Sequence, residues 1–173
     1  MLKFNITDKN YIQQTFPFPS FTIQYLMKNI NSDGLKKLHE SCKYFYAKLQ
    51  INIVDEFCLA IHLVDYGLGP YEINLYPNQL DQLPSNLWVS KNLLLGGNLN
   101  ISKFFAKVIR CNPYDMFLNL ETKLTMNELK ILTQSKTIKY ITIDMIIYLS
   151  HDNDIKAPLE DVLSCFLNAK SIR

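Results

Sequence analysis

Histidine and cysteine are the residues through which this chain could do nucleophilic or metal chemistry. His39, His62 and His151 stand far apart, with no cysteine, serine or carboxylate spaced to suggest a triad or a metal cluster. Cys42, Cys58, Cys111 and Cys165 are separated by 16, 53 and 54 residues and form no Cys-x-x-Cys pair. Neither a zinc knuckle nor a small disulfide framework fits that spacing, and buried free thiols in a reducing compartment do. Asp152-x-Asp154 begins like a calcium loop but lacks its glycine and closing glutamate. No phosphate-binding or dinucleotide-binding glycine pattern occurs, and Gly96-Gly97 reads as a turn. The expectation is a protein with no metal and no cofactor that is not an enzyme.

The elements that would position these residues come from a chain rich in packing material. It has 173 residues, 48% of them hydrophobic, with ten Phe and ten Tyr. That is ample for a core and far above what a disordered segment carries. Eighteen Lys and Arg against sixteen Asp and Glu leave a charge of +2, which excludes the strong positive field of a typical nucleic-acid binder. Met1-Leu2-Lys3-Phe4-Asn5 opens no signal-peptide core. The densest apolar run, Tyr140 to Leu149, contains Asp144 and falls short of the roughly 18 residues a membrane helix needs. The sequons at Asn5 and Asn100 mean nothing without the secretory route. The expected compartment is cytoplasmic or nuclear, with no nucleic-acid or membrane partner.

Thr7-Asp8 could cap a short helix to about Thr15. The prolines of Phe16-Pro17-Phe18-Pro19 then hold the backbone extended, and Ser20 can cap the next helix. Phe21, Ile23, Tyr25, Leu26, Met27 and Ile30 make residues 21–30 apolar almost all the way round, so that helix needs a cover on more than one side. Asn31-Ser32-Asp33 supplies a turn and a cap. From Gly34 to about Leu49 a second helix is predicted, with Leu35, Leu38, Cys42, Phe45 and Leu49 on one stripe. Residues 51–85 read as a connecting region with two or three short strands: Ile51 and Ile53 alternate, as do Leu59, Ile61 and Leu63, and Tyr71 to Tyr76. Gly67, Gly69-Pro70, Pro77-Asn78 and Pro84-Ser85 punctuate them as turns.

From residue 86 a repeat is visible. Leu93-x-Leu95-x-x-x-Leu99 recurs as Leu118-x-Leu120-x-x-x-Leu124 and as Ile143-x-Met145-x-x-x-Leu149, each offset by 25 residues. A helix pattern follows each copy: Ser102 before Phe104, Phe105, Val108 and Ile109; the capping box Thr125-x-x-Glu128 before Leu129, Ile131 and Leu132; Pro158 with Glu160 and Asp161 before Val162, Leu163 and Phe166. The third copy carries an insertion, His151 to Lys156. Strand–helix units of about 25 residues with this leucine pattern are the signature of a leucine-rich-repeat solenoid. The alternative is a small α/β sheet with fortuitous spacing. Lys170-Ser171-Ile172-Arg173 repeats Lys136-Thr137-Ile138-Lys139, so a fourth strand is expected to begin there, belonging to a longer solenoid or leaving an edge for a partner.

Phe18-Pro19, the pair Leu26-Met27, then Leu35 and Leu38, and finally Ser41-Cys42-Lys43-Tyr44-Phe45 follow in an order that resembles an F-box. That family has a Leu-Pro start, a helix with paired aliphatics, a Leu-Leu helix and a terminal Cys-Lys-x-Phe/Trp. Here Phe stands at the starting Leu, and Ser20-Phe21-Thr22 replaces the usual acidic residue. The layout resembles the divergent F-box-like families of nematodes that carry degenerate leucine-rich repeats. The resemblance implies a non-catalytic substrate receptor of an SCF-type ubiquitin ligase, with a Skp-type adaptor and cullin scaffold as partners and one protein substrate.

The expected fold is therefore α/β: an F-box-like helical module over 1–50, the connecting region over 51–85, and a short leucine-rich-repeat-like βα solenoid over 86–173. Phe18, Pro19, Phe21, Ile23, Leu26, Met27 and Ile30 are the expected adaptor-binding residues, while Cys42 and Phe45 read as core. Residues between the leucines of a repeat strand point to the concave face. At the 25-residue period Leu94, Asn119 and Asp144 align, flanked by Asn92, Phe117 and Thr142, as a substrate-binding strip or as solvated surface. The rival function is a stand-alone binding protein that inhibits its partner by occlusion.

Overall fold

The structure, a computed structural model, describes residues 18–60 and 72–173. The helix expected near 7–15, Phe16, Pro17, Ile61, His62, Leu63 and the turn at Gly67 to Pro70 lie outside those residues. The chain divides into two units, Met1–Ile51 and Asn52–Arg173.

In the first unit α1 spans Ser20–Asn29, α2 Ser32–Ser41 and α3 Lys43–Leu49. Ser20 is the first residue of α1 and Pro19 its cap; the Pro19 carbonyl accepts the Thr22 N–H at 2.9 Å. Asn31 caps α2 as its type predicts, its side-chain oxygen accepting the Gly34 N–H at 2.8 Å. Gly34 lets this turn close, because a Cβ there would stand 3.0 Å from the Ile30 side chain. The single helix predicted from Gly34 to Leu49 is two helices. Cys42 is extended at φ −146, and both its N–H (2.9 Å) and the Ser41 hydroxyl (3.3 Å) donate to the Leu38 carbonyl. A serine bonding its own helix backbone competes with continuation, and neither glycine nor proline announces the break. Leu35 and Phe45 of the predicted stripe are buried, and Cys42 is half-buried.

The second unit is a mixed α/β structure on a mostly parallel sheet, which agrees with the broad class the sequence predicts. Its strands are β1 (Asn52–Leu59), β2 (Glu72–Leu75), β3 (Leu87–Gly97), β4 (Val108–Cys111), β5 (Asp115–Leu120), β6 (Leu124–Thr125), β7 (Tyr140–Ile143), β8 (Ile147–Tyr148) and β9 (Ser171–Ile172). Helices α4 (Ile101–Lys107), α5 (Met126–Thr133) and α6 (Leu159–Ser164) alternate with them, and a 3-10 turn runs over Pro77–Gln82. The main sheet runs β2-β1-β3-β5-β7-β9 with β4 beside the start of β3, while β6 and β8 form a separate pair. Segment 51–85 does more than connect. Its eight-residue β1 lies between β2 and β3: Phe57 and Leu59 alternate inward and, with Val54 beyond the register shift between Val54 and Glu56, supply core that the later strands share.

The register differs from the 25-residue alignment between the first two repeats. Leu93 pairs with Met116 and Leu95 with Leu118, an offset of 23, whereas β5 and β7 keep 25, as in Met116 with Ile141. The reason is β4. It follows α4 directly and pairs with Leu87–Val89, after which Asn112-Pro113 interrupts the ladder before β5 takes up the rest of β3. Pro113 has no N–H to donate, so the strand breaks there. From β7 to β9 the offset grows to 31, since Tyr140 pairs with Ser171, and the six residues His151 to Lys156 account for the increase over 25.

Gly96-Gly97 is not a separate turn but the end of β3, where Gly97 at φ 73 takes the left-handed conformation that glycine adopts freely. Asn100, not Ser102, caps α4 by accepting the Lys103 N–H at 3.0 Å. The Thr125–Glu128 capping box of α5 forms as predicted. Phe57, Leu93, Leu95, Met116, Leu118 and Ile141 point to one side of the sheet and share a core with Phe104 of α4, Leu129 and Leu132 of α5 and Val162 of α6. All three helices therefore cover the same face.

Candidate protein-interaction surfaces

Two surfaces carry the predicted site residues. On α1 no residue is buried, although half of its residues are apolar. Phe21 is 71% and Tyr25 68% exposed, one turn apart on one side. Ile23, Leu26, Met27 and Ile30, spaced as one helical stripe, are half-buried on the other. Pro19 is exposed, and the partly exposed Phe18 ring lies 5.2 Å from that of Phe45, within the same unit. The seven predicted adaptor residues thus split: Pro19 and Phe21 face outward, Phe18 packs on Phe45 while staying partly exposed, and the other four form the inner stripe. Tyr25 belongs with the outward group, and its i+4 spacing from Phe21 was the available signal.

The second surface is the sheet face opposite α4, α5 and α6. Leu94, Phe117 and Thr142 stand side by side across β3, β5 and β7, and Cys58 of β1 extends their row. All four are half-buried. Asn119 does not align with Leu94, as the 25-residue period predicts, but stands opposite Gly96. Its side-chain amide donates to Asp144 at 3.2 Å, so these two predicted residues do meet. Asn92 leads another row, paired with Glu56 on one side and Asp115 on the other, with Tyr140 beyond. The Asn92 amide donates to Glu56 at 3.2 Å. All six predicted strip residues share this face, in rows two residues out of the predicted step. Sequence reasoning missed Glu56, Cys58, Asp115 and Tyr140, which the alternation of β1 and a register of 23 would have placed there.

The titrating groups on and beside this face are shifted by burial and by their neighbours. Desolvation raises the Cys58 thiol above its ordinary value, which keeps it protonated. A hydrogen bond with Tyr140 raises the Tyr114 hydroxyl, and the two rings meet edge to face at 5.3 Å. Asp55, at the β1 irregularity, accepts the Ser90 hydroxyl at 2.7 Å and the Lys91 ammonium at 2.9 Å. Elsewhere, the inserted loop is held at two points. His151 Nε2 lies 3.0 Å from Glu128 Oε1, and Lys123 reaches Asp154 at 2.6 Å, a contact that lowers the Asp154 carboxyl and raises the Lys123 ammonium. Among the described residues no three His, Cys, Asp or Glu side chains are grouped so as to hold a metal ion. No helix among them is long and apolar enough to cross a membrane.

No protein-family model, curated protein or solved structure matches this chain.

Proposed function

We propose that this chain is a substrate receptor of an SCF-type ubiquitin ligase. A Skp-type adaptor, itself bound to a cullin scaffold, would dock on α1, and a protein substrate would bind the open face of the sheet. The observation that carries the reading is α1, which buries none of its residues while holding two aromatic side chains more than two-thirds exposed. Apolar surface of that kind is what a partner covers. The order of F-box-like residues from Phe18 to Phe45 supports the adaptor as that partner. Parallel strands whose helices cover one face support a leucine-rich-repeat-like reading of residues 86–173, with the long β3 as its first strand.

Co-expression with a Skp-type adaptor followed by size exclusion tests the proposal. The expected result is one co-eluting peak, lost in Phe21→Asp; two separate peaks for the unaltered chain contradict it. The occlusion reading has an observation of its own, since the first turn of α1 holds no acidic residue. Under it, partner levels in cells would not respond to proteasome inhibition.

A further inference from the structure

The open face of the sheet carries a charge pattern opposite to that of the whole chain. The chain is at +2, yet Glu72, Glu56 and Asp115 stand in one cross-strand row and Asp144 lies beyond the apolar row on the other side. Glu56 and Asp144 are bonded to neutral amides, Asn92 and Asn119. Such donors orient a carboxylate without cancelling its charge. Of the cations on this side, Lys91 is engaged by Asp55 at 2.9 Å, Arg110 stacks 4.1 Å from the Trp88 ring centre, and Arg173 stands opposite Thr142 through backbone bonds to Ile141 and Ile143. Between the acidic groups run Cys58, Leu94, Phe117 and Thr142, an apolar centre about three strand spacings, or roughly 14 Å, across. An apolar centre with carboxylates along both sides is the form of a protein-docking surface, and the excess of carboxylates over cations on this face selects the occupant.

We infer that this face takes a basic segment of a protein partner, with an apolar side chain seated on Leu94 and Phe117 and lysines or arginines meeting Glu56, Asp115 and Asp144. The inference rests on the reading of this face as the substrate surface and adds the chemical class of what it holds. Acidic segments and nucleic-acid backbones are repelled by the same carboxylates.

A phage-displayed random peptide library selected on the full chain reads the preference directly. Enriched peptides should carry net positive charge around a central aromatic or aliphatic residue. Their affinity should fall about tenfold or more in Glu56→Lys/Asp115→Lys, and should weaken on raising the salt to about 0.5 M. If the double variant does not fold, Asp115→Asn and Asp144→Asn, both at exposed positions, read the same dependence. Neutral or acidic enriched peptides, no enrichment, or unchanged binding by the charge variants would overturn the inference. Adaptor binding by the unaltered chain is scored separately. Basic peptides that bind a chain with no affinity for the adaptor keep this inference and remove the ligase reading.

Discussion

Cys111 shows how much a single buried group can govern. It is 5% exposed, and desolvation pushes its thiol up to about 12 from an ordinary 9.0. In the unfolded chain the thiol ionises above about pH 9, while in the fold it stays protonated until about pH 12. The contribution is therefore fully present below pH 9 and is lost as pH rises, by about 1.4 kcal/mol per unit from this group. Urea unfolding of the chain and of Cys111→Ala, compared between about pH 8 and 10, should show the shallower decline in the variant. In the native chain iodoacetamide should label Cys111 last of the four cysteines. A second residue-scale case is the α5 start. Thr125 Oγ1 accepts the Glu128 N–H at 3.3 Å, and the Glu128 carboxylate accepts the Thr125 N–H at 2.8 Å. Thr125→Ala should cost about 1–2 kcal/mol, measured by the same unfolding experiment.

At the scale of elements, α1 and α5 differ in what their sequence determines. The Thr-x-x-Glu box and Leu129 and Leu132 behind it are local features, so α5 was legible from sequence alone. The break at Cys42 was not, because it falls inside an unbroken apolar stripe with neither glycine nor proline to mark it. Strand partners were legible by face but not by position. Reading 25 for 23 is a slip of two, and an even slip leaves each side chain on its own face. That is why Asn92, Leu94, Phe117, Asn119, Thr142 and Asp144 share one face as expected, although Asn119 stands opposite Gly96 and not Leu94. The missing information lay in β4 and Pro113, whose effect on the ladder no leucine count contains. For α1, exposure makes a direct prediction: Phe21→Asp should leave the melting temperature of the isolated chain within about 2 °C, since surface changes of this kind stay within about 0.5 kcal/mol. A large loss measured by calorimetry would mean that α1 holds its own unit together and is not an interaction face.

At the scale of the molecule, the described cysteines and histidines are spread through both units and form no metal-binding group among the described residues. Cys111 is core, Cys58 lies on the sheet face with a raised thiol, and His151 stands beside Glu128 in an inserted loop. His39 is pushed below its ordinary value by burial. Two surfaces carry the proposal, one on a three-helix unit and one on a sheet whose helices all cover the other face, and it assigns a different protein partner to each. The measurement that bears most directly on this division is the affinity of the purified chain for a Skp-type adaptor, by isothermal titration, in the unaltered form and in Phe21→Asp. An aromatic anchor of an interface contributes on the order of 2–4 kcal/mol, so the expected result is binding that weakens by about 30-fold or more in the variant. No binding by the unaltered chain, or equal affinity in the two, would contradict the assignment of α1 as the adaptor surface.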